Sequence, residues 1–157
     1  MHRPTPNLWF DGNAEDAMDF YLSIFPNSKV LGISRYGDAG PGPSGSVLTV
    51  AFEINGQDFI GINGGPHFKF TPAVSFSLLC DTQDEIDGIW DRLLAGGAPS
   101  QCGWLTDRYG LSWQVVPSIL PKYLGDQDRT RANRVMEAML KMVKLDIETL
   151  KKAYEQR

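Results

Sequence analysis

The chain has 157 residues, with 15 Lys and Arg against 19 Asp and Glu, and 42% of its residues are hydrophobic. This length suits one globular domain or two very small ones, and the apolar content excludes an intrinsically disordered chain. A net charge of -4 without a basic block argues against nucleic acid as a partner. No apolar run is long enough to cross a bilayer and the start has no signal-peptide stretch, so we expect a cytoplasmic protein with no membrane partner.

The first predicted elements are a short strand over residues 7–10 and a helix over about 13–25. Asn13 stands at the capping position, and two carboxylates follow in the first turn, where the helix dipole favours them. The apolar residues recur at the spacing of one buried face: Ala14, Ala17, Met18, Tyr21, Leu22 and Phe25. A strand over 29–36 follows, and then a Gly- and Pro-rich stretch, 37–45, which predicts a loop.

Two apolar runs, 47–54 and 57–63, flank Asn55-Gly56. Because both positions of a tight hairpin turn need positive φ, this dipeptide predicts a two-residue turn and fixes the register. The turn sets these side chains opposite each other: Phe52 with Phe59, and Ala51 with Ile60. We expect a helix to pack on one face of this sheet. The other face carries smaller residues that would line a hollow: Thr49, Ala51, Ile60 and Ile62.

A second group of elements follows the connector 64–73. A strand over 74–80 leads to Thr82 and Glu85, whose spacing predicts a capping box and a helix that ends at Gly96-Gly97. Strands over 101–106 and 111–116 follow, joined by a turn at 107–110.

The two groups form an internal repeat of roughly seventy residues when Asn13 is aligned with Thr82. Neither half has enough layers to bury its own sheet, so the halves must pair within the chain or between chains. From Asp126 onward the chain reads as two helical pieces, 134–142 and a last helix capped by Asp146. We interpret this tail as a covering element or a dimer contact.

Three segments carry a resemblance to a known family: NAEDAMDFY, INGGPHFKF and QCGWLTDRYGLSWQVVP. With the repeat, they resemble the PhnB-like branch of the vicinal oxygen chelate superfamily, which includes glyoxalase I, bleomycin-resistance proteins and extradiol dioxygenases. The likeness runs from Pro6 to Pro117 and takes in the helical tail. It implies an α+β fold in which two βαβββ modules form a curled, cup-shaped mixed sheet, and it implies a homodimer.

The resemblance also implies a domain organisation. The glyoxalase-like domain would span residues 1–120, with module one at about 5–64 and module two at about 73–117. The helical tail would span 121–157.

In the superfamily, His and Glu side chains inside the cup hold a divalent metal that acts as a Lewis acid. The first-strand histidine would fall near Thr5 to Asn7, and a second ligand near Ala73 to Ser75, where no histidine stands. The last-strand glutamate falls on Gln114, whose neutral amide is a poor substitute for a carboxylate. The only other histidine besides His67 is His2, at a terminus that we expect to fray. We therefore predict no metal site and no cofactor.

Proteins of this branch often carry the name 3-demethylubiquinone 3-methyltransferase. A Rossmann-like methyltransferase would bind its cofactor at a glycine-rich turn between a strand and a helix. The only glycine-dense stretch, 37–45, leads into a strand instead, so the residues do not support methyl transfer.

The candidate ligand-binding residues lie on the faces that would line the cup: Gln114, Trp104, Thr49, Ala51 and Ile62. Gln114 offers an amide to a polar ligand, or is a buried amide satisfied by the backbone. Trp104 is a flat wall or a core residue. His67 is a candidate general base in a loop, and Cys102 a candidate nucleophile without an identifiable base. The ordinary alternatives are a loop histidine and a small buried thiol.

Two hypotheses follow for the function. The first is a metal-free, dimeric binding protein for a small organic ligand. The alternative is a lyase, isomerase or oxygenase of the glyoxalase superfamily that uses His67, Gln114 or Cys102. A purely structural or protein-interaction role, suggested by the long tail, is a third possibility.

Overall fold

A computed structural model describes residues 3–156. The chain forms two compact units, the first ending at Phe70 and the second starting at Thr71. His2 lies outside the described residues. The division into a domain over 1–120 and a tail over 121–157 stays a prediction.

The first unit is a four-stranded sheet with one helix. Its elements are β1 (Asn7–Phe10), α1 (Ala14–Ile24), β2 (Ser28–Arg35), β3 (Val47–Ile54) and β4 (Gln57–Asn63). The strand order is β1-β4-β3-β2, in which β1 runs parallel to β4 and the other pairs are antiparallel.

The hairpin of the first unit has the predicted register. Phe52 pairs with Phe59 and Ala51 with Ile60. Asn55 and Gly56 adopt φ of 47° and 80°, the left-handed values that a two-residue turn with matching twist requires. The local turn chemistry was therefore sufficient to assign which side chains share a face.

Helix α1 begins one residue after Asn13, as predicted, but the side chain of Asn13 makes no capping hydrogen bond. Instead Asn63, at the end of β4, accepts a hydrogen bond from the Ala14 N–H through its Oδ1 at 2.9 Å. The buried face also differs in one position, because Ile24 is buried while Leu22 is only half-buried. A residue distant in sequence thus caps this helix.

The second unit repeats the first in topology. Its sheet elements and helix are β5 (Ser75–Cys80), α2 (Gln83–Leu94), β6 (Ala98–Pro99), β7 (Trp104–Thr106) and β8 (Ser112–Pro117). The strand order is β5-β8-β7-β6, with β5 parallel to β8. This equivalence confirms the α+β fold of two βαβββ modules, and adds the short strand β6 that the sequence did not predict.

The capping box of α2 is present as predicted. Thr82 Oγ1 accepts from the Glu85 N–H at 3.2 Å, while the Glu85 carboxylate accepts from the Thr82 N–H at 3.3 Å. Ile86, Trp90 and Leu93 are the residues of this helix that are buried.

The predicted strand 101–106 is wrong in its first half. Cys102 and Gly103 have φ of 59° and 82°, so residues 101–104 form a turn and β7 begins only at Trp104. A strand cannot include two consecutive left-handed residues.

Three helices follow β8: α3 (Leu120–Leu124), α4 (Arg129–Met139) and α5 (Ile147–Glu155). The two helices predicted from Asp126 onward are α4 and α5, and α3 precedes them. Helix α4 starts earlier than expected because Asp128 caps it, and Asp146 caps α5 as predicted. The tail has its own apolar core: Leu120, Val135, Leu145 and Leu150, with Val116 of β8 packed against it. No helix within residues 3–156 has the length and apolar character needed to span a membrane.

Two glycines of the second unit, Gly88 and Gly110, allow a matched test of the backbone conformations described above. Gly88 lies inside α2 and Gly110 has φ of 88°, and an added Cβ would meet no atom within 4 Å at either position. We expect Gly88→Ala to raise the free energy of unfolding by about 0.5–1 kcal/mol, because Ala favours a helix. Gly110→Ala should lower it by about 1 kcal/mol, because a Cβ disfavours positive φ. Urea denaturation measures both, and equal signs would contradict the assigned conformations.

Candidate functional site

Gln114 and Trp104 share the face of the second sheet that is opposite α2. Trp104 of β7 lies directly across from Gln114 of β8 in the antiparallel register, and Ser77 of β5 flanks Gln114 on the other side. All but Ser77, which is exposed, are half-buried. The structure therefore brings together the two predicted ligand-binding residues of this unit.

Gln114 is held by a neighbouring hydroxyl. Its Nε2 donates a hydrogen bond to Ser75 Oγ at 2.9 Å. Both residues stand where the superfamily resemblance places metal ligands, on the last strand and at the opening of the second module. The two positions meet in space, but with an amide and a hydroxyl in place of a carboxylate and an imidazole.

The residues at these positions do not fit a Lewis-acid metal. Neutral amide and hydroxyl oxygens bind such ions weakly compared with imidazole and carboxylate groups. On the first strand, Asn7 uses its amide nitrogen to donate to the Thr5 carbonyl at 2.9 Å. Within the described part of the chain, no three His, Cys, Asp or Glu side chains are grouped so that they could hold a metal ion.

The tail supports the turn that precedes Trp104. The N–H groups of Cys102 and Gly103 donate to the carbonyls of Met142 and Val143 at 2.8 and 2.7 Å. The left-handed conformation at 102–103 aims both donors at the tail, and a Cβ at Gly103 would lie 2.7 Å from the Val115 carbonyl oxygen. The backbone position of Trp104 thus depends on a segment about forty residues away in sequence.

Asp107 has a structural role that the sequence analysis did not identify. Its carboxylate is 2% exposed and accepts hydrogen bonds from the Tyr109 and Leu111 N–H groups and from Trp113 Nε1, at 2.8, 3.1 and 2.9 Å. It closes the turn between β7 and β8, and this fixes the strand that carries Gln114. An Asp at the first position and a Gly at the fourth position of a turn were the signal.

The first unit brings its three predicted ligand-binding residues onto one face. Thr49 pairs directly with Ile62, and Ala51 with Ile60, across β3 and β4. All four are half-buried. Thr49 Oγ1 is hydrogen-bonded to the Ser34 hydroxyl at 2.6 Å.

Trp9 is a further residue of this face that the sequence analysis missed. It lies beside Ile62 in the parallel pairing of β1 with β4. Its Nε1 donates to the Gly65 carbonyl at 2.8 Å, and the Phe68 ring stands edge-on to it with centroids 5.0 Å apart. A Cβ at Gly64 would lie 2.2 Å from the Trp9 ring, so only glycine permits this position. The alternation of side chains along residues 7–10 could have indicated that Trp9 faces away from the buried residues Leu8 and Phe10.

His67 lies at a cleft of about 620 Å³ within the first unit. Three carboxylates also line the cleft, those of Asp11, Glu15 and Asp16, together with the Tyr36 ring. Asn63 organises its wall, because its side chain donates to the Val47 carbonyl at 3.0 Å and its own carbonyl accepts from the Tyr36 hydroxyl at 2.7 Å. His67 itself is exposed.

Cys102 and His67 belong to different units, so they form no nucleophile–base pair within one unit. The other cysteine, Cys80, is 2% exposed. Burial raises the pKa of its thiol to about 11, and the nearby Glu85 and Asp81 carboxylates add to the increase.

Thiol alkylation tests this difference in burial. Because the thiolate is the reactive form, we expect iodoacetamide at neutral pH to modify Cys80 about 100-fold more slowly than a free thiol of ordinary pKa. Half-buried Cys102 should react first, and both should react alike in denaturant. Mass spectrometry of the native chain measures the two sites, and prior modification of Cys80 would contradict the packing around β5.

Sequence comparison identifies a family for the part of the chain that contains the two sheets. The sequence pattern of the family described as 3-demethylubiquinone-9 3-methyltransferase matches residues 2–116. No curated protein matches the chain. The tail from residue 117 onward lies outside the match.

Solved structures extend the comparison. The PhnB protein from Bacillus cereus is 40% identical, with a TM-score of 0.67, and the match covers 74% of this chain and 99% of that one. Protein PA1353 from Pseudomonas aeruginosa is 20% identical, with a TM-score of 0.59 and coverage of 72% and 95%. The fosfomycin resistance protein FosX from Listeria monocytogenes, complexed with Mn(II) and sulfate, is 15% identical, with a TM-score of 0.54 and coverage of 78% and 97%. The last two show the likeness of fold alone.

Proposed function

The chain belongs to the 3-demethylubiquinone-9 3-methyltransferase family, the PhnB-like branch of the vicinal oxygen chelate superfamily, and on that premise we propose that it binds a small organic molecule without a metal ion. The observation that carries the proposal is the Gln114–Ser75 hydrogen bond. It occupies the positions of two superfamily metal ligands with neutral groups, on a sheet face that its own helix leaves uncovered.

Each unit supplies its own proposed ligand contacts. In the second unit they are Gln114 and Trp104, and in the first unit they are Thr49, Ala51 and Ile62. Apolar and amide groups of this kind orient a small ligand through a few hydrogen bonds while burying most of its surface. We also propose that the chain is cytoplasmic and that it forms a homodimer, in line with the superfamily. Light scattering of the purified chain would test the homodimer.

Methyl transfer is not supported despite the family's name. Neither unit is a doubly wound parallel sheet, the architecture in which adenosyl cofactors bind beside a glycine-rich strand–helix turn. In both units, the strand that precedes the helix is parallel to one neighbour only, and the other pairs are antiparallel.

Native mass spectrometry and elemental analysis of the purified chain test the proposal together. We expect a copurified organic mass that is lost on denaturation, and less than stoichiometric Mn, Fe, Ni or Zn. Gln114→Ala should reduce retention of that mass, whereas exposed Gln57→Ala should not. Stoichiometric metal in the native chain would overturn the proposal, and so would the absence of any organic ligand.

A second candidate function rests on the cleft of the first unit. An imidazole near three carboxylates suits general acid–base chemistry, as in a lyase or isomerase. This alternative requires that the chain turn over a dicarbonyl or similar substrate. His67→Ala should abolish that turnover while the variant still binds the substrate. Unchanged turnover in His67→Ala would remove it.

A further inference from the structure

The face of the second sheet opposite α2 consists entirely of uncharged side chains. By strand register, the residues that share this face are Ser75, Ser77 and Leu79 of β5, Ser112, Gln114 and Val116 of β8, and Trp104 and Thr106 of β7. A charged group that leaves water needs a counter-charge or several hydrogen bonds to offset its desolvation. The strands of this face supply no counter-charge, so they favour an uncharged ligand.

The Gln114–Ser75 pair limits the functional groups that fit. One N–H of Gln114 is used by Ser75 Oγ, which leaves the second N–H, the amide oxygen and the Ser75 hydroxyl proton for a ligand. Donors and an acceptor therefore stand side by side on one strand pair. A ligand group that both accepts and donates, such as an amide or a carbonyl next to a hydroxyl, satisfies them together.

Trp104 adds a flat apolar wall beside this pair. Residues directly opposite in an antiparallel sheet have Cβ atoms about 4.5–5.5 Å apart, which places the Trp104 side chain next to Gln114. The backbone before Trp104 is fastened to the tail by the Cys102 and Gly103 hydrogen bonds. An aromatic wall fixed in this way loses little conformational entropy when a planar ligand binds.

We propose that this face selects uncharged planar ligands that carry a carbonyl or amide group, with Gln114 and Ser75 binding that group and Trp104 packing against the ring. The proposal deepens the proposed function and rests on it. It assigns a ligand class to the second unit that excludes phosphate, phosphonate and carboxylate compounds.

Benzamide and benzoate form a matched pair of probes, because they share one ring and differ in charge. Saturation-transfer NMR with the full chain should detect benzamide, with benzoate about tenfold weaker, a difference of about 1.4 kcal/mol. Gln114→Ala and Trp104→Ala should each reduce the benzamide signal at least severalfold. Gln127→Ala, which removes an exposed glutamine of the same unit, should leave it unchanged. Thermal melting of each variant checks that it folds.

The outcomes separate this proposal from the proposed function. Equal binding of benzoate and benzamide, or benzamide binding that is insensitive to both variants, would overturn the ligand class while leaving a binding protein. The absence of signal from both probes would also overturn the ligand class. The proposed function would then be tested separately, by native mass spectrometry of the copurified ligand. Benzamide binding that depends on Gln114 and Trp104 would support the assignment.

Discussion

Asp107→Ala is expected to lower the free energy of unfolding of the second unit by about 3–5 kcal/mol, because each buried donor left without a partner costs about 1–3 kcal/mol. The substitution removes the carboxylate that accepts hydrogen bonds from the Trp113 indole N–H and the Leu111 N–H. Both residues are buried, so water does not replace the carboxylate freely. The turn between β7 and β8 would open at the point where it fixes the strand of Gln114.

Urea denaturation followed by tryptophan fluorescence measures this change. Three of the four tryptophans, Trp90, Trp104 and Trp113, lie in the second unit, so the signal reports mainly on it. Asp107→Asn keeps one acceptor oxygen and should lose less stability than the alanine variant. Asp81→Ala, at an exposed position of the same unit, is the matched control and should change stability by less than about 0.5 kcal/mol. A loss for Asp107→Ala no larger than for Asp81→Ala would contradict the structural role.

Elements whose geometry is determined by adjacent residues were predictable from the sequence. The Asn55-Gly56 turn fixed the hairpin register, and the Thr82–Glu85 spacing fixed the start of α2. In both cases the interacting groups are within a few residues, so no tertiary contact overrides the local preference. The repeat was predicted from the alignment of Asn13 with Thr82, and the two sheets share one strand order.

Features that depend on distant contacts were not predictable. Asn63 replaces Asn13 as the cap of α1 across 49 positions of sequence. Likewise, the tail carbonyl of Met142 accepts from the Cys102 N–H, and Cys102 adopts a left-handed conformation that its residue type disfavours. No pattern of neighbouring residues predicts either contact. For this reason the start of β7 was predicted at residue 101, whereas the strand begins at Trp104.

The candidate site was predicted in part for the same reason. Strand alternation placed Gln114 and Trp104 on one face, and Thr49, Ala51 and Ile62 on another, and the register agrees. Trp9 was missed because a parallel pairing with β4 joins segments about fifty residues apart. Whether these residues contact a ligand stays a prediction.

Ser75→His combined with Gln114→Glu is expected to create a divalent metal site on the second sheet. The two side chains meet within hydrogen-bond distance, with Gln114 Nε2 2.9 Å from Ser75 Oγ, so an imidazole and a carboxylate there can bind one ion together. A carboxylate about 4 Å from a cation contributes about 4 kcal/mol per unit charge at an effective dielectric of 20, before desolvation. We therefore expect the affinity for Ni²⁺ to rise by at least about 100-fold, which requires only about 2.7 kcal/mol.

Isothermal titration calorimetry with NiCl₂ measures this gain, with the natural chain as reference. A double variant with the same replacements at exposed positions, Ser118→His with Gln101→Glu, controls for added charge and imidazole alone. If the natural chain binds Ni²⁺ as tightly as the Ser75/Gln114 variant, then neutral groups suffice and the metal-free proposal is wrong. A gain confined to that variant would mean that the architecture of a metal site persists in this sheet while its donor atoms do not. The identity of two side chains, rather than the fold, would then separate a binding protein from a Lewis-acid enzyme.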